Sequence, residues 1–445
     1  MRSLICFQFK IFYQLSQWYK HHFTVTGYWV IGGMLLALMV GINTRISFGS
    51  QIFAFLLVST ILDAVLSLYF KPKLLIKRVL PTFTTSGDSI RYHFEVENLS
   101  AYAESGITIE DDFGLKIPGK RAFKHYIDPL DKQRNWFDRK VGYPKWLGLV
   151  RLKRGADIEK GTITTILANQ SQTVPAKLTT IKRGLVQFEG YLIKRPGPLG
   201  IFNAVRRVPD QGQLLVLPTR YPVASLDLQG QSAHQPIGSI PATCIMGGAH
   251  EFFGLREYQP GDAKRDIHWK SWAKTGKPVI KEYRPEHMVR HGLVLDTSVS
   301  AEFHAEFETG ISIAASYLCT LDTKESLLDL IFIGTQAFQF TLGQGFTSST
   351  EVLKVLATVK RSEPDNIDRL ASLVTQHSDQ LSGCILLLSC WDEKRQKLVN
   401  QLQFRHIKVL VLIVTTNPIK PQPNIYVLNP ADPMKVLSKL GKADG

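Results

Sequence analysis

Two stretches of this 445-residue chain hold residue types and spacings that could do chemistry. In "DTSVS", Asp296, Ser298 and Ser300 alternate, so a carboxylate and two hydroxyls on one loop can point at a common spot. Hard oxygen ligands of that kind suit Mg2+. A later segment ending in "LLLSCWD" can bring Asp392 to the same edge, and Thr347 in "GQGFTSS" offers a further hydroxyl from an intervening loop. The same aspartate and serines would also serve as helix N-caps, and the residues alone leave both roles open.

The second stretch, "GLREYQPGDAKRDIHWKSWAKTGKPVIKEY" (residues 254–283), mixes both charges with two tryptophans. Pro260 and Gly261 predict a turn, Asp262 the N-cap of a helix over 263–275, and Gly276 its stop. On that helix Arg265, His268, Trp269 and Trp272 share one face. Arg256, Glu257, Asp262 and Arg265 are candidate ion-pair partners across a joint between two domains. A general base at His268 has no nucleophile motif to serve, since neither GxSxG nor a Cys-His signature occurs. No GxxxxGK[ST] loop occurs either, so the chain is not expected to hydrolyse nucleotide. Eight Lys or Arg residues between Gly254 and Glu286 would suit nucleic acid, but five acidic residues share the span.

The elements that must position these residues follow from periodicity. From Gly292 onward, short apolar runs such as "GLVLDTSVS", "LLDLIFIG", "GCILLLS" and "KVLVLIV" alternate with helical patterns such as "AEFETGISIAASYLCTL" and "STEVLKVLATVK". That alternation predicts a mainly parallel sheet with ligands at the carboxyl ends of its strands, where Asp296 and Asp392 lie. Between residues 74 and 218 the period is two: in "SIRYHFEVENLS", Ile90, Tyr92, Phe94 and Val96 alternate with charged or polar residues. Long helical periodicity is not apparent there, and an antiparallel β-sandwich of Ig-like or fibronectin-like type is expected. "KRPGPLGIF" reads as a rigid turn with a hydrophobic tip. The expected divisions are thus 1–73, 74–218, a polar linker over 219–253, the joint over 254–286 and an α/β domain over 287–445.

Two apolar runs precede all of this, spanning about 25–42 and 52–70, each close to the ~20 residues that cross a bilayer. Arg2, Lys10 and Lys20 lie before them, and Lys71, Lys73, Lys77 and Arg78 after them. Basic outer flanks predict a two-helix hairpin in the cytoplasmic (inner) membrane, with the N-terminus and main body in the cytoplasm. Asp63 lies within the second run, where a carboxyl needs a partner such as the hairpin mate or another membrane helix. A cytoplasmic body also makes the glycosylation sequon at Asn98 accidental. The net charge of +15 favours acidic partners or a lipid surface. Five cysteines without a CxxC pair argue against a disulfide framework or a zinc module.

The order of apolar hairpin, sandwich, "GLREYQPGDAKRDIHW" and "DTSVS" resembles the proteins grouped as domain of unknown function 58. The resemblance covers nearly the whole chain and is most specific at Arg256-Glu257-Tyr258, Pro260-Gly261-Asp262, Arg265 and Ile267-His268-Trp269. It implies a last domain similar to von Willebrand factor A, whose metal-ion-dependent adhesion site uses a DxSxS loop matched by Asp296, Ser298 and Ser300. Thr347 and Asp392 match by position in the fold only, and "SCWD" stands where Thr-Asp-Gly is usual. The resemblance further implies a non-enzymatic scaffold that works with MoxR-type AAA+ ATPases or their client proteins. The expected class is therefore multidomain α+β, with possible Mg2+ and with protein and membrane as partners. No nucleic acid or small-molecule substrate is expected, and a metal-dependent hydrolase or a DNA-binding membrane protein is the alternative.

Overall fold

The computed structural model describes residues 2–41, 47–126, 128, 131, 133–159, 161–223, 250–262, 264–285, 289–299, 304–320, 326–334, 336–343, 347–363, 366–419 and 422–440. It is a mixed α+β chain of two compact units, Met1–Thr219 and Arg220–Gly445. Most of the expected linker, residues 224–249, lies outside the described residues.

The first unit opens with three helices, α1 (Arg2–His22), α2 (Val25–Gly41) and α3 (Ser47–Leu68). Within α3, Phe48–Leu68 is long and apolar enough to cross a membrane, whereas α2 is apolar but shorter. The pair runs antiparallel: Thr60 Oγ1 lies 3.9 Å from Met34 Sδ, while the backbones of Gly41 and Gly49 meet at the other end. Large apolar side chains on both helices face outward, among them Trp29 at 79% and Phe55 at 71% exposure.

Two sheets follow, built from β1 (Leu74–Val79), β2 (Phe83–Thr85), β3 (Ser89–Asn98), β4 (Glu104–Asp112), β5 (Ala156–Glu159), β6 (Gly161–Ile166), β7 (Ser171–Thr180), β8 (Gly184–Pro196) and β9 (Asn203–Leu217). Their orders are β1-β3-β7-β5 and β2-β9-β8-β4-β6. All pairings are antiparallel except β2 with β9. Phe94, Val96 and Leu178 of the first sheet share one core with Ile107, Val186 and Leu214 of the second. The period-two pattern therefore has its physical cause, because alternate side chains face that core. Arg78 is drawn into this unit, its Nε 2.7 Å from Asp111 Oδ1 with both side chains buried, so it is no exposed flank to the helices. Asn98 of the sequon is buried too, its amide donating to the carbonyls of Tyr102 (2.8 Å) and Leu167 (3.1 Å).

One expectation is corrected here. Three helices, α4 (Lys120–His125), α5 (Trp136–Val141) and α6 (Tyr143–Arg154), interrupt the strands between β4 and β5. In α6, Trp146, Leu149 and Val150 are buried at i, i+3 and i+4, but the pattern lasts barely three turns amid Lys and Arg, so it is easily overlooked. It forms because α1 covers it. The Tyr13 ring lies 5.4 Å from Trp146, Phe9 lies 5.3 Å from Tyr143, and Arg154 Nη2 donates to Tyr13 Oη at 2.9 Å.

The buried carboxyl of Asp63 finds its partner in a loop of the two-sheet region. At the tip of the β8–β9 hairpin, the backbone N–H groups of Leu199, Ile201 and Phe202 donate to Asp63 at 2.9, 2.9 and 2.7 Å. The approach requires glycine on both sides. A Cβ on Gly197 would meet Asp63 Oδ1 at 2.4 Å, and one on Gly27 of α2 would meet the Ile201 carbonyl at 2.3 Å. Thr24 Oγ1 completes the dock by donating to the Gly200 carbonyl at 2.5 Å.

At the end of α1, His21 Nδ1 accepts from Lys194 Nζ at 2.6 Å, and Lys194 is also paired with Glu110. Burial first, then Lys194, pushes the imidazole down to about 4, with His22 acting in the same direction and Glu110 and Asp112 opposing. A base whose folded pKa is depressed contributes stability above its unfolded pKa and loses it as pH falls through the folded value. Acidification from about 6.5 to about 4 is therefore expected to loosen the first unit progressively. His21→Gln, which cannot charge, should flatten that part of a pH–unfolding profile.

The second unit begins with β10 (His250–Glu257), α7 (Trp269–Thr275) and β11 (Val279–Pro285), in which β10 and β11 pair antiparallel as a separate ribbon. There follow β12 (Val289–Leu295), α8 (His304–Thr320), β13 (Ser326–Ile333), β14 (Ala337–Leu342), α9 (Ser349–Thr358), α10 (Ile367–His377), β15 (Gly383–Leu388), α11 (Glu393–Phe404), β16 (Lys408–Val414), β17 (Ile425–Leu428) and α12 (Met434–Leu440). The sheet order is β14-β13-β12-β15-β16-β17, parallel except for the β13–β14 edge pair. All six residues of β15 are buried, as expected of a strand covered on both faces.

Candidate functional site

The ribbon carries the charged and aromatic motif. Pro260 and Gly261 form the expected turn, closed by Asp262 N donating to the Gln259 carbonyl at 3.1 Å, with Gly261 at φ 114°. Asp262 does not cap a helix, as the sequence suggested. Arg256 grips its carboxylate with Nη1 and Nη2, both at 2.7 Å, and Gln259 N donates to it at 2.9 Å. That grip, the Arg256 hydrogen bond foremost, holds the carboxyl below the usual carboxylate range. The expected helix is also shorter: a single 3-10 turn over Lys264–Asp266 precedes α7, and His268 is the N-cap residue of α7. His268 Nδ1 lies 2.6 Å from Ser271 Oγ. Arg265 belongs to the 3-10 turn, and its side chain lies outside the described residues. Gly276 ends α7 in the left-handed region at φ 71°. Glu257 pairs with Lys277 at 3.3 Å in solvent, and Tyr258 N donates to the Pro278 carbonyl at 3.0 Å. Trp269 and Trp272 stack with centroids 5.2 Å apart and planes 20° apart, and Trp269 is 64% exposed.

The acidic loop sits where strand alternation put it, at the carboxyl end of β12. There Asp296 is buried and its hydrogen-bonding capacity is filled by protein. Arg395 Nε and Nη2 reach Asp296 Oδ2 at 2.8 and 2.7 Å, and Oδ1 accepts from Ser298 N at 2.9 Å. The same guanidinium donates to the Ser298 carbonyl at 2.8 Å and to Asp392 Oδ2 at 2.5 Å. Asp392 is the N-cap of α11, its Oδ1 accepting from Arg395 N at 2.9 Å. Burial raises the Asp296 carboxyl above its ordinary range, with Arg395 the strongest opposing influence. Ser298 Oγ lies 3.2 Å from Ser362 Oγ, which in turn lies 3.1 Å from Thr297 Oγ1.

Of the five expected ligands, the fold brings Asp296, Ser298 and Asp392 together around Arg395. Ser300 lies outside the described residues. Thr347 is half-buried and bridges to Leu342 through its backbone, and Ser362 supplies the hydroxyl beside Ser298 instead. This arrangement does not fit a divalent cation. The cation would have to take Asp296 from the guanidinium and then lie against it, two positive centres in a buried site. Sequence reasoning missed Arg395 and Ser362. Arg395 had a signal, standing three residues after Asp392 on a helix and hence beside it. Ser362 had none, since it reaches the loop through tertiary contact alone. Beside this site Cys390 is a free thiol, pushed up by burial to about 11.

Residues 254–412 match the family model described as "Protein of unknown function DUF58". Over those residues the chain is similar to the DUF58 family. The matched segment starts in β10 and ends in β16, so it contains both the tryptophan ribbon and the Asp296–Arg395 cluster. The "Uncharacterized protein YeaD" of Bacillus subtilis (strain 168) is 24% identical over 203 residues, which are 45% of this chain and 49% of that protein. The chain thus spans about half the length of that relative. Among solved structures, native alpha-2-macroglobulin from Escherichia coli (domain MG7 to the C-terminus) aligns with 34% of this chain and 18% of its own, at 11% identity and a TM-score of 0.20. A GH20 exo-β-N-acetylglucosaminidase from Vibrio harveyi aligns with 77% of this chain and 57% of its own, at 10% identity and a TM-score of 0.15. Likenesses that weak carry no argument about this protein.

Proposed function

We propose that this protein is a non-enzymatic scaffold, held in the cytoplasmic membrane by the α2–α3 hairpin, that presents a von Willebrand A-like domain to a MoxR-type AAA+ ATPase or its client. The observation that carries the reading is the exposed Trp269 ring, stacked on the half-buried Trp272, on a ribbon braced by the Arg256–Asp262 pair. A rigid aromatic pair with an exposed ring is a characteristic anchor of protein interfaces. Lys264, Lys270, Lys274 and Lys277 surround it in sequence and favour an acidic partner surface. Anchoring is supported by the outward-facing apolar side chains of α2 and α3, which water would not tolerate over two whole helices. Lys71, Lys73 and Lys77 at the exit of α3 favour a cytoplasmic body. In this reading docking does not use a metal ion, because Arg395 supplies the positive charge in the DxSxS loop.

A pull-down with the full chain in detergent tests the proposal, comparing wild type with Trp269→Ala in Mg2+ and in EDTA. An AAA+ ATPase retained by wild type in both buffers, with affinity reduced roughly thirtyfold or more by Trp269→Ala, is the expected result. Retention that EDTA abolishes would return docking to a metal ion. No AAA+ ATPase in any sample would remove the partner assignment.

A further inference from the structure

We propose that α1 is an interfacial helix lying in the cytoplasmic headgroup layer with its outer face on lipid; the inference rests on the reading of α2–α3 as a membrane anchor. The helix has two apolar faces. Phe9 and Tyr13 turn toward Trp146 and Tyr143 of α6 and are accounted for by that packing. Phe7, Ile11, Leu15 and Trp18 recur at i, i+4, i+8 and i+11, flanked by Tyr19 and by Phe12, whose ring also meets Tyr143 at 5.2 Å, and all six are 39–59% exposed. A second apolar stripe of this length on an already docked helix calls for another partner.

Three features identify that partner as a lipid surface. Only Phe23 and Thr24 separate α1 from α2, and two residues reach ~7 Å at most, so the end of α1 lies where α2 enters the bilayer. Thr24 is itself fixed there by its bonds to the Gly200 and Ile201 carbonyls. At this level aromatic rings collect: Trp18 lies 5.3 Å from Tyr19, Tyr19 lies 5.4 Å from Phe23, and Phe23 lies 5.2 Å from Phe202 at the β8–β9 tip. Tryptophan and tyrosine concentrate at membrane–water boundaries because the ring prefers the hydrocarbon edge and the N–H or O–H prefers water. Finally, α1 contains Lys10 and Lys20 and no acidic residue, as suits anionic headgroups. The anchor is then a hairpin plus a surface helix, with α6 riding on the helix and the β8–β9 tip on the hairpin.

Tryptophan quenching in the full chain tests this. The protein is reconstituted in phosphatidylcholine–phosphatidylglycerol vesicles with chains brominated either near the headgroup or near the bilayer centre. The difference between wild type and Trp18→Phe isolates Trp18, and Leu36→Trp adds a reporter at the middle of α2. The expected result is loss of Trp18 emission with shallow bromines and loss of the mid-span reporter's emission with deep ones. A quenched mid-span reporter beside an unquenched Trp18 would overturn the surface helix and leave the anchor standing. If that Trp18 were also shielded from aqueous iodide in a dimeric protein, a second copy would be what covers the stripe. With neither reporter quenched, the membrane anchor itself would fall.

Discussion

Arg395→Gln is expected to destabilise the second unit by about 3–5 kcal/mol, the usual cost of removing one partner from a buried ion pair. For a unit of that size this lowers the unfolding midpoint by roughly 6–20 °C, which differential scanning of the detergent-solubilised chain would resolve. The size of the effect follows from what is left behind. Asp296 is 1% exposed, and without the guanidinium its Oδ2 loses both side-chain donors at once. Its carboxyl, already above the ordinary range through burial, should rise further. A carboxyl whose pKa is raised on folding takes up a proton, so its contribution is present at low pH and lost as pH rises through the folded value. The deficit of Arg395→Gln relative to wild type should therefore narrow on acidification. Adding Asp296→Asn should restore part of the loss, because the stranded charge is then gone. Millimolar Mg2+ should leave the wild-type midpoint unchanged. A rise with Mg2+ that disappears in Asp296→Ala would show a cation on Asp296 and remove Arg395 from that role.

The second large effect concerns Asp63. Asp63→Ala leaves the N–H groups of Leu199, Ile201 and Phe202 without their acceptor in a closed site. A buried donor so stranded costs about 1–3 kcal/mol, and with the Ile201 bond buried and the Leu199 and Phe202 bonds part-buried the tip should lose about 3 kcal/mol of its hold on the hairpin. Amide exchange at those three positions, measured in the full chain in nanodiscs, should accelerate on the order of a hundredfold. Asp63→Asn keeps one acceptor oxygen but turns an NH2 toward the same donors, so an intermediate effect is expected. Unchanged exchange in Asp63→Ala would mean that Thr24 and the aromatic packing around Phe202 hold the tip without the carboxyl. Insertion should survive both variants, since replacing a carboxyl in an apolar helix favours the bilayer.

Much of the layout was legible in the sequence for simple reasons. Apolar runs announce themselves by composition, as in the expected spans at about 25–42 and 52–70, the second of which falls largely within α3, long and apolar enough to cross a membrane. In β3 the alternation through Tyr92, Phe94 and Val96 has period two because one face is buried. The repeated strand–helix change after Gly292 admits few arrangements other than a parallel sheet, and it placed Asp296 and Asp392 correctly at one edge. Where reading along the chain fell short, short elements had their stability supplied from outside. The helix α6 depends on Phe9 and Tyr13 of α1, more than 130 residues earlier in the chain. Residues 264–268 do not continue α7 because Asp262 is engaged by Arg256 and is not free to cap it.

Apart from the helices between β4 and β5, the sequence by itself determined the main kinds of element, their order and the edge at which the charged loop emerges, since hydrophobic periodicity and turn chemistry are local properties. It also determined that Asp63 needs a partner, and it left the DxSxS loop open between holding a cation and capping a helix. Which group answers each need was decided only by tertiary structure. The carboxyl of Asp63 is met by three backbone amides, groups that nearly every residue carries and that no side-chain pattern can announce. The charge on Asp296 is met by an arginine 99 positions away, brought close because β12 and β15 are parallel neighbours and α11 starts at that edge. Partners of that kind depend on strand order and distance in space, and neither is written in the spacing of residues along the chain.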